Sequence, residues 1–168
     1  PEPRGHLVTS SFDLVRPDGS VPLRLERTSL RIASEGSARG PLGKKSVPPP
    51  EPSSLMLAAT KQLVPEDVAE YSIEADNLIH SDPEVAREFG FDRPIAGGLM
   101  AVRMMMEVLA RRGVIQTLQM SVRFRRPMFW DDRLEVRTDG PDLTPRFFVY
   151  RGDGKVVSEG VVSAITWG

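Results

Sequence analysis

The chain has 168 residues, 40% hydrophobic and 27% charged, which suits one globular domain or one domain with a substantial appendage. Its 22 basic and 23 acidic residues leave a net charge of −1, so no broad basic field favours nucleic acid or an anionic membrane. It lacks cysteine, which excludes disulfides, thiol nucleophiles and cysteine metal sites. The longest apolar stretch, Gly97 to Ala110, is interrupted by Arg103 and Glu107 and is too short to span a membrane. Glu2, Arg4 and His6 precede any apolar run, unlike a secretory leader, and a cytoplasmic location is the expectation. The chain starts at Pro1 without a methionine, which leaves open a processed chain, a trimmed one or a part of a longer one.

In chain order, His6 to Ala33 contains two Val-, Leu-, Thr- and Phe-rich runs around "RPDGS", which predicts a β-hairpin. A lone hairpin is marginal in water, so it needs either the rest of the chain or a partner to pack on. The Ser-, Gly- and Pro-rich stretch that follows reads as a linker, semi-rigid at Pro48 to Pro50. The boundaries implied are a hairpin over 1–39, a linker over 40–54 and a main domain over 55–168. In that domain a strand is predicted from Leu55. A short helix then starts at Pro65, with Glu66 and Asp67 in its first turn and Val68 and Tyr71 sharing a face. "GLMAVRMMMEVLARRG" is apolar almost all round and stops at Gly113, as expected of a helix enclosed by other structure. The remainder alternates as three or four antiparallel strands, with Pro127 at a strand end and "RGDGK" as a hairpin turn. The fold class is α+β, a curved antiparallel sheet around one long buried helix.

The loop between the two helices carries the chemistry. In "SDPEVAREFG", Ser81 or Asp82 caps a helix, Pro83 opens it and Gly90 ends it, which needs no catalytic role. His80 lies just outside that cap. A lone histidine there serves equally as a backbone-satisfied structural residue; Glu74, Asp76 and Asn77 close upstream point to a proton carrier. Gly97 and Gly98, at the next helix N-terminus, either let backbone N–H groups approach a developing oxyanion or only permit close helix–sheet packing.

"NLIHSDPEVAREFGFDRPIAGGLM" resembles the signature of the MaoC-like dehydratases and (R)-specific enoyl-CoA hydratases, which have the hotdog fold. The shared positions are Asn77, Ile79, His80, Asp82, Pro83, Ala86, Gly90, Phe91, Pro94, Ile95 and Gly98. "MSVRFRRPMFWDDRLEVR" is similar to the family's later strands, and the hairpin resembles the closing strands of a preceding hotdog in double-hotdog members. The resemblance implies reversible hydration of a trans-2-enoyl thioester to a 3-hydroxyacyl thioester, on CoA or acyl carrier protein, without metal or redox cofactor. It makes His80 and Asp76 the catalytic pair, with Asn77, Gly97 and Gly98 binding substrate. It also implies a homodimer or heterodimer joined through the sheets.

Two positions depart from the signature. Counted back from His80 without a gap, the family aspartate falls on Ala75, so Asp76 fits only if the loop is one residue shorter; Leu78 takes the proline position. Gly97 stands where the family commonly has histidine. These departures keep two further readings open, a non-catalytic acyl-binding subunit partnering a catalytic one and a thioesterase using Asp76 or Glu74. Arg123, Arg125 and Arg126 read as a solvated strand face, with a carrier's phosphates as the alternative. Met104, Met105 and Met106 read as core or as the lining of an acyl tunnel.

Overall fold

The computed structural model describes residues 5–32, 48–140 and 145–168. The chain divides into two units, Pro1–Val47 and Pro48–Gly168.

In the first unit β1 (Gly5–Leu14) and β2 (Leu23–Ile32) pair antiparallel, with Leu14 opposite Leu23 and Gly5 opposite Ile32. The expected turn is closed by Gly19 N donating to Arg16 O and Arg16 N to Ser20 O, both at 2.9 Å. The period-2 pleat puts Phe12, Leu14, Leu23 and Leu25 on one face, and all four are exposed. On the other face Thr9 bonds Thr28 and Asp13 takes both oxygens to Arg24. Among the described residues of this unit nothing covers the apolar face, so the packing the hairpin needs is not supplied within it. The predicted linker from Gly40 to Val47 lies outside the described residues.

In the second unit a five-stranded antiparallel sheet has the order β3-β7-β8-β9-β5. Its strands are β3 (Met56–Gln62), β5 (Ile115–Phe124), β7 (Arg133–Thr138), β8 (Arg146–Arg151) and β9 (Val156–Trp167). A separate two-residue ladder joins β4 (Ile95–Ala96) to β6 (Met128–Phe129), with Ile95 opposite Phe129. The helices are α1 (Pro65–Ser72), α2 (Pro83–Glu88) and α3 (Leu99–Ala110). None of the described helices is long and apolar enough to cross a membrane.

The inward side chains of β7, β8 and β9 are Leu134, Val136, Phe147, Val149, Val157 and Val162, and they pack on Met100, Ala101, Met104, Met105, Val108 and Leu109 of α3. Gly160 of β9 lets α3 approach: a side chain there would begin 2.6 Å from the Met105 sulfur. The expected enclosure of α3 is partial. It is twelve residues long, and Arg103, Glu107 and Ala110 are exposed while its other face is buried. Arg103 and Glu107 pair at i, i+4 on that open face, so the two charges interrupting the apolar run mark the face the sheet leaves bare.

Strand β8 is buried on both faces. Phe148 and Tyr150 point away from α3 and pack with Val156 and Leu55. The Tyr150 hydroxyl donates to Pro50 O at 2.6 Å, and Arg137 Nη1 donates to Pro52 O at 2.9 Å. The residues from Pro48 to Ser54, which composition marks as linker, and Leu55 after them are therefore fastened to the sheet's outer face. Apolar contact and captured proline carbonyls hold them, features that a count of Pro, Gly and Ser does not register.

Candidate active site

The loop between α1 and α2 is built from two short 3-10 turns, Ile73–Ala75 and Leu78–His80. Asn77 caps the second, its Oδ1 accepting from Ile79 N at 3.2 Å, so its side chain serves the loop's own backbone. Ile79 is buried and anchors the turn. Asp82 is the helix cap expected, accepting from Glu84 N at 2.7 Å and Val85 N at 3.3 Å.

His80 is half-buried, and its Nδ1 lies 2.6 Å from the carbonyl oxygen of Ile95. A carbonyl oxygen can only accept, so Nδ1 carries the proton and donates it. In the neutral ring Nε2 is then the free base. The contact also fixes where the loop sits: Ile95 is in β4, two residues before the glycine pair that opens α3. Residues 80 and 97–98, separate in sequence, are held at one end of one helix.

At that end Gly98 is the N-cap in helical conformation, and Met100 N and Ala101 N donate to Gly97 O and Gly98 O. The N–H groups of Gly98 and Leu99 lack partners within the helix, which makes them the donors available for a carbonyl developing negative charge. Two aromatic rings that sequence reasoning missed flank the pair. A side chain at Gly98 would begin 3.0–3.2 Å from the ring of Phe124 on β5, and one at Gly97 would begin 3.7 Å from the Tyr71 ring. A side chain at 98 would press on that ring, so close packing favours glycine there, whichever ligand the N–H groups meet. Tyr71 is exposed beside Gly97, and the buried residues of α1 are Val68 and Ser72, at i and i+4.

Asp76 is the C-cap of the first 3-10 turn at φ 46, ψ 43, the one non-glycine residue with positive φ among those described. Aspartate tolerates this left-handed conformation better than most residues do, and such outliers concentrate at functional corners. Its carboxylate is exposed and makes no hydrogen bond or ion pair with the described residues. Of the three strand arginines, Arg125 pairs with Glu159 at 2.7 Å and Arg126 donates to Val156 O at 2.8 Å, which ties both into the sheet; Arg123 is exposed. Met104 and Met105 lie in the core between α3 and the sheet, and Met106 packs against it.

A five-stranded antiparallel sheet packed on one helix, with a histidine loop held at the helix N-terminus, is the hotdog arrangement. The sequence pattern of the MaoC-like domain matches residues 48–155, and the chain belongs to that family. It is 28% identical over 165 residues to the enoyl-CoA hydratase ChsH3 of Mycobacterium tuberculosis, covering 92% of this chain and 56% of that protein. The crystal structure of HtdX from the same organism superposes with a TM-score of 0.74 at 22% identity, over 95% of this chain and 62% of that one. The (R)-hydratase from A. caviae involved in PHA biosynthesis superposes at 0.54 and 22% identity, over 62% of this chain and 88% of that one. The chain thus spans little more than half the length of ChsH3, and at such identities the structural likenesses establish the fold.

Proposed function

We propose that this protein hydrates trans-2-enoyl thioesters, and dehydrates the 3-hydroxyacyl products, with His80 and Asp76 as the acid–base pair. The observation that carries the reading is the His80 Nδ1 contact to Ile95 O at 2.6 Å, which leaves Nε2 as base at the mouth of α3. His80 takes a proton from water as the oxygen attacks C3. The C2–C3 π electrons shift toward the carbonyl, and the enolate oxygen is held by the N–H groups of Gly98 and Leu99. The proton that His80 took from water is then delivered to C2, with the Asp76 carboxylate orienting the water and sharing the proton exchange, so one water is consumed and no redox change occurs. The thioester's carrier is CoA or acyl carrier protein, and membership in the MaoC-like family supports the thioester class. Hydration of crotonyl-CoA, followed as loss of the enoyl absorbance, tests the reading; full activity in both His80→Ala and Asp76→Asn would overturn it.

A second reading, a non-catalytic acyl-binding subunit working beside a catalytic hotdog, is favoured by one observation: the Asp76 carboxylate is exposed and has no partner among the described residues. Thermal stabilisation by acyl-CoA without turnover would support it. For the assembly, strands β3 and β5 lie at the edges of the sheet order, and pairing of such edges would join two copies or a copy and a partner. Light scattering of the purified chain tests the homodimer. We take residues 1–39 as closing strands of a second hotdog-like unit, 40–54 as a connection and 55–168 as the catalytic domain. Support comes from the contrast between the 95% of this chain matched by HtdX and the 62% matched by the shorter (R)-hydratase.

A further inference from the structure

Beside the β4–β6 ladder lies a groove of about 370 Å³ whose lining includes Arg93, Phe129, Asp131, Asp132 and Arg151. Its floor is Asp132, only 7% exposed, and burial pushes that carboxyl above the ordinary carboxylate range. Asp132 Oδ2 accepts from Phe129 N at 2.7 Å, Asp132 N returns to Phe129 O at 3.1 Å, and Oδ1 faces Arg93 Nη2 at 3.4 Å. Arg93 also places Nε 2.8 Å from the Asp131 carboxylate and its guanidinium carbon 4.6 Å from the centre of the Phe129 ring. From the other side Leu63 N donates to Asp132 O and the Gln62 amide to Asp131 O, each at 2.9 Å. The end of β3, the loop before β4 and strand β6 therefore meet on one acidic turn. Arg93 pairs with Asp131, Arg151 pairs with Asp153 at 2.6 Å in its own turn, and both guanidinium groups lie over the Phe129 ring, so the Arg93 contacts act as a clamp on the acidic turn.

The clamp acts on the site because of where it grips. Arg93 is two residues from Ile95, Phe129 stands opposite Ile95 in the ladder, and Trp130 N donates to Pro94 O at 3.1 Å. Two residue pairs are too few to hold a ladder in place by themselves. We propose that Arg93, by gripping Asp131, Asp132 and the Phe129 ring, is a positioning residue that holds the Ile95 carbonyl under His80 and so sets the Nδ1–H tautomer of that ring. Its catalytic consequence rests on His80 being the acid–base group, but the tautomer is measured without any assay of activity.

The chain has two histidines, so ¹⁵N-histidine labelling and long-range proton–nitrogen spectra, with His6→Gln for assignment, read His80 directly. The wild-type ring is expected in the Nδ1–H form. In Arg93→Met the Nε2–H form should become the major one, and kcat for enoyl-CoA hydration should fall about 10-fold with KM within about twofold. Arg93→Lys should restore part of both. A wild-type His80 spectrum in Arg93→Met overturns the proposal whatever the activity. If the wild type hydrates no enoyl thioester, the functional reading fails while the spectral result still decides the positioning role. Should Arg93→Met not fold, Asp131→Asn removes the nearest charge at an exposed position; the same shift in smaller degree is expected, and an unchanged spectrum overturns the proposal.

Discussion

Asp76 and Asp132 are two carboxylates with opposite settings. Asp76 stands at a left-handed corner, exposed and unpaired among the described residues. Asp132 is buried, bonded to the Phe129 N–H and faced by Arg93. The first is open to solvent and makes no side-chain contact that supports the fold among the described residues. The second organises three chain segments through its hydrogen bonds. A carboxylate's company in space, more than its company in sequence, decides which task it can perform.

The largest effect that would break this contrast is expected at His80. His80→Ala should lower hydration by about 10²–10⁴, and Asp76→Asn by about 10² or more, with little change in Tm for the latter. If Asp76→Asn retains full rate, the exposed carboxylate is not a catalyst and the non-catalytic reading of that corner gains. Next is stability. Asp132→Ala strips the Phe129 N–H of its acceptor and should cost about 1–3 kcal/mol in urea unfolding, whereas Asp76→Asn, which tolerates the same left-handed corner, should stay within about 0.5 kcal/mol. Equal losses at both positions would erase the distinction drawn here.

A smaller effect is expected at Gly98. Alanine there must displace the Phe124 ring, at about 1 kcal/mol because the ring is half-exposed and can move. Phe124→Ala should make the same substitution nearly neutral, a coupling measurable by a double-mutant cycle. The smallest is pH-dependent and tests the groove's rim. The Arg151 guanidinium hydrogen-bonded to Asp153, helped by Lys155, holds that carboxyl far below its usual value of 3.8. A depressed folded-state pKa contributes stability that is present above 3.8 and lost as pH falls through the depressed value. Because the side chain is 37% exposed, the loss between pH 4 and 2 should be under about 1 kcal/mol, and Asp153→Asn should abolish it. An unchanged acid limb in Asp153→Asn would place the loss elsewhere.

Much of the fold was legible in sequence because the signals are local. Pro65 and Pro83 open α1 and α2, Asp82 caps α2, and alternation marks β7, where Leu134 and Val136 face the core. The double burial of β8 was not legible, since "RFFVYR" does not tell which residues will cover its second face; Leu55 and the prolines before it do so from about a hundred positions away. In the site, the "NLIH" pattern brought out His80, but Phe124, Tyr71 and Arg93 carry no motif. Each matters only through a contact with Gly98, Gly97 or the Asp131–Asp132 turn.

The sequence alone determined the order of elements, the α+β class, the helix caps and the register of the histidine, because these depend on backbone preferences and side-chain periodicity within a few residues. Only the tertiary structure decided which nitrogen of His80 carries the proton, why position 98 is glycine, and that Asp76 is exposed while Asp132 is buried. Those outcomes are set by groups 15 to 39 residues apart that meet only when the sheet closes on α3. Hydrogen-bond direction, steric contact and desolvation act across such distances in space, and no local pattern in the chain encodes them.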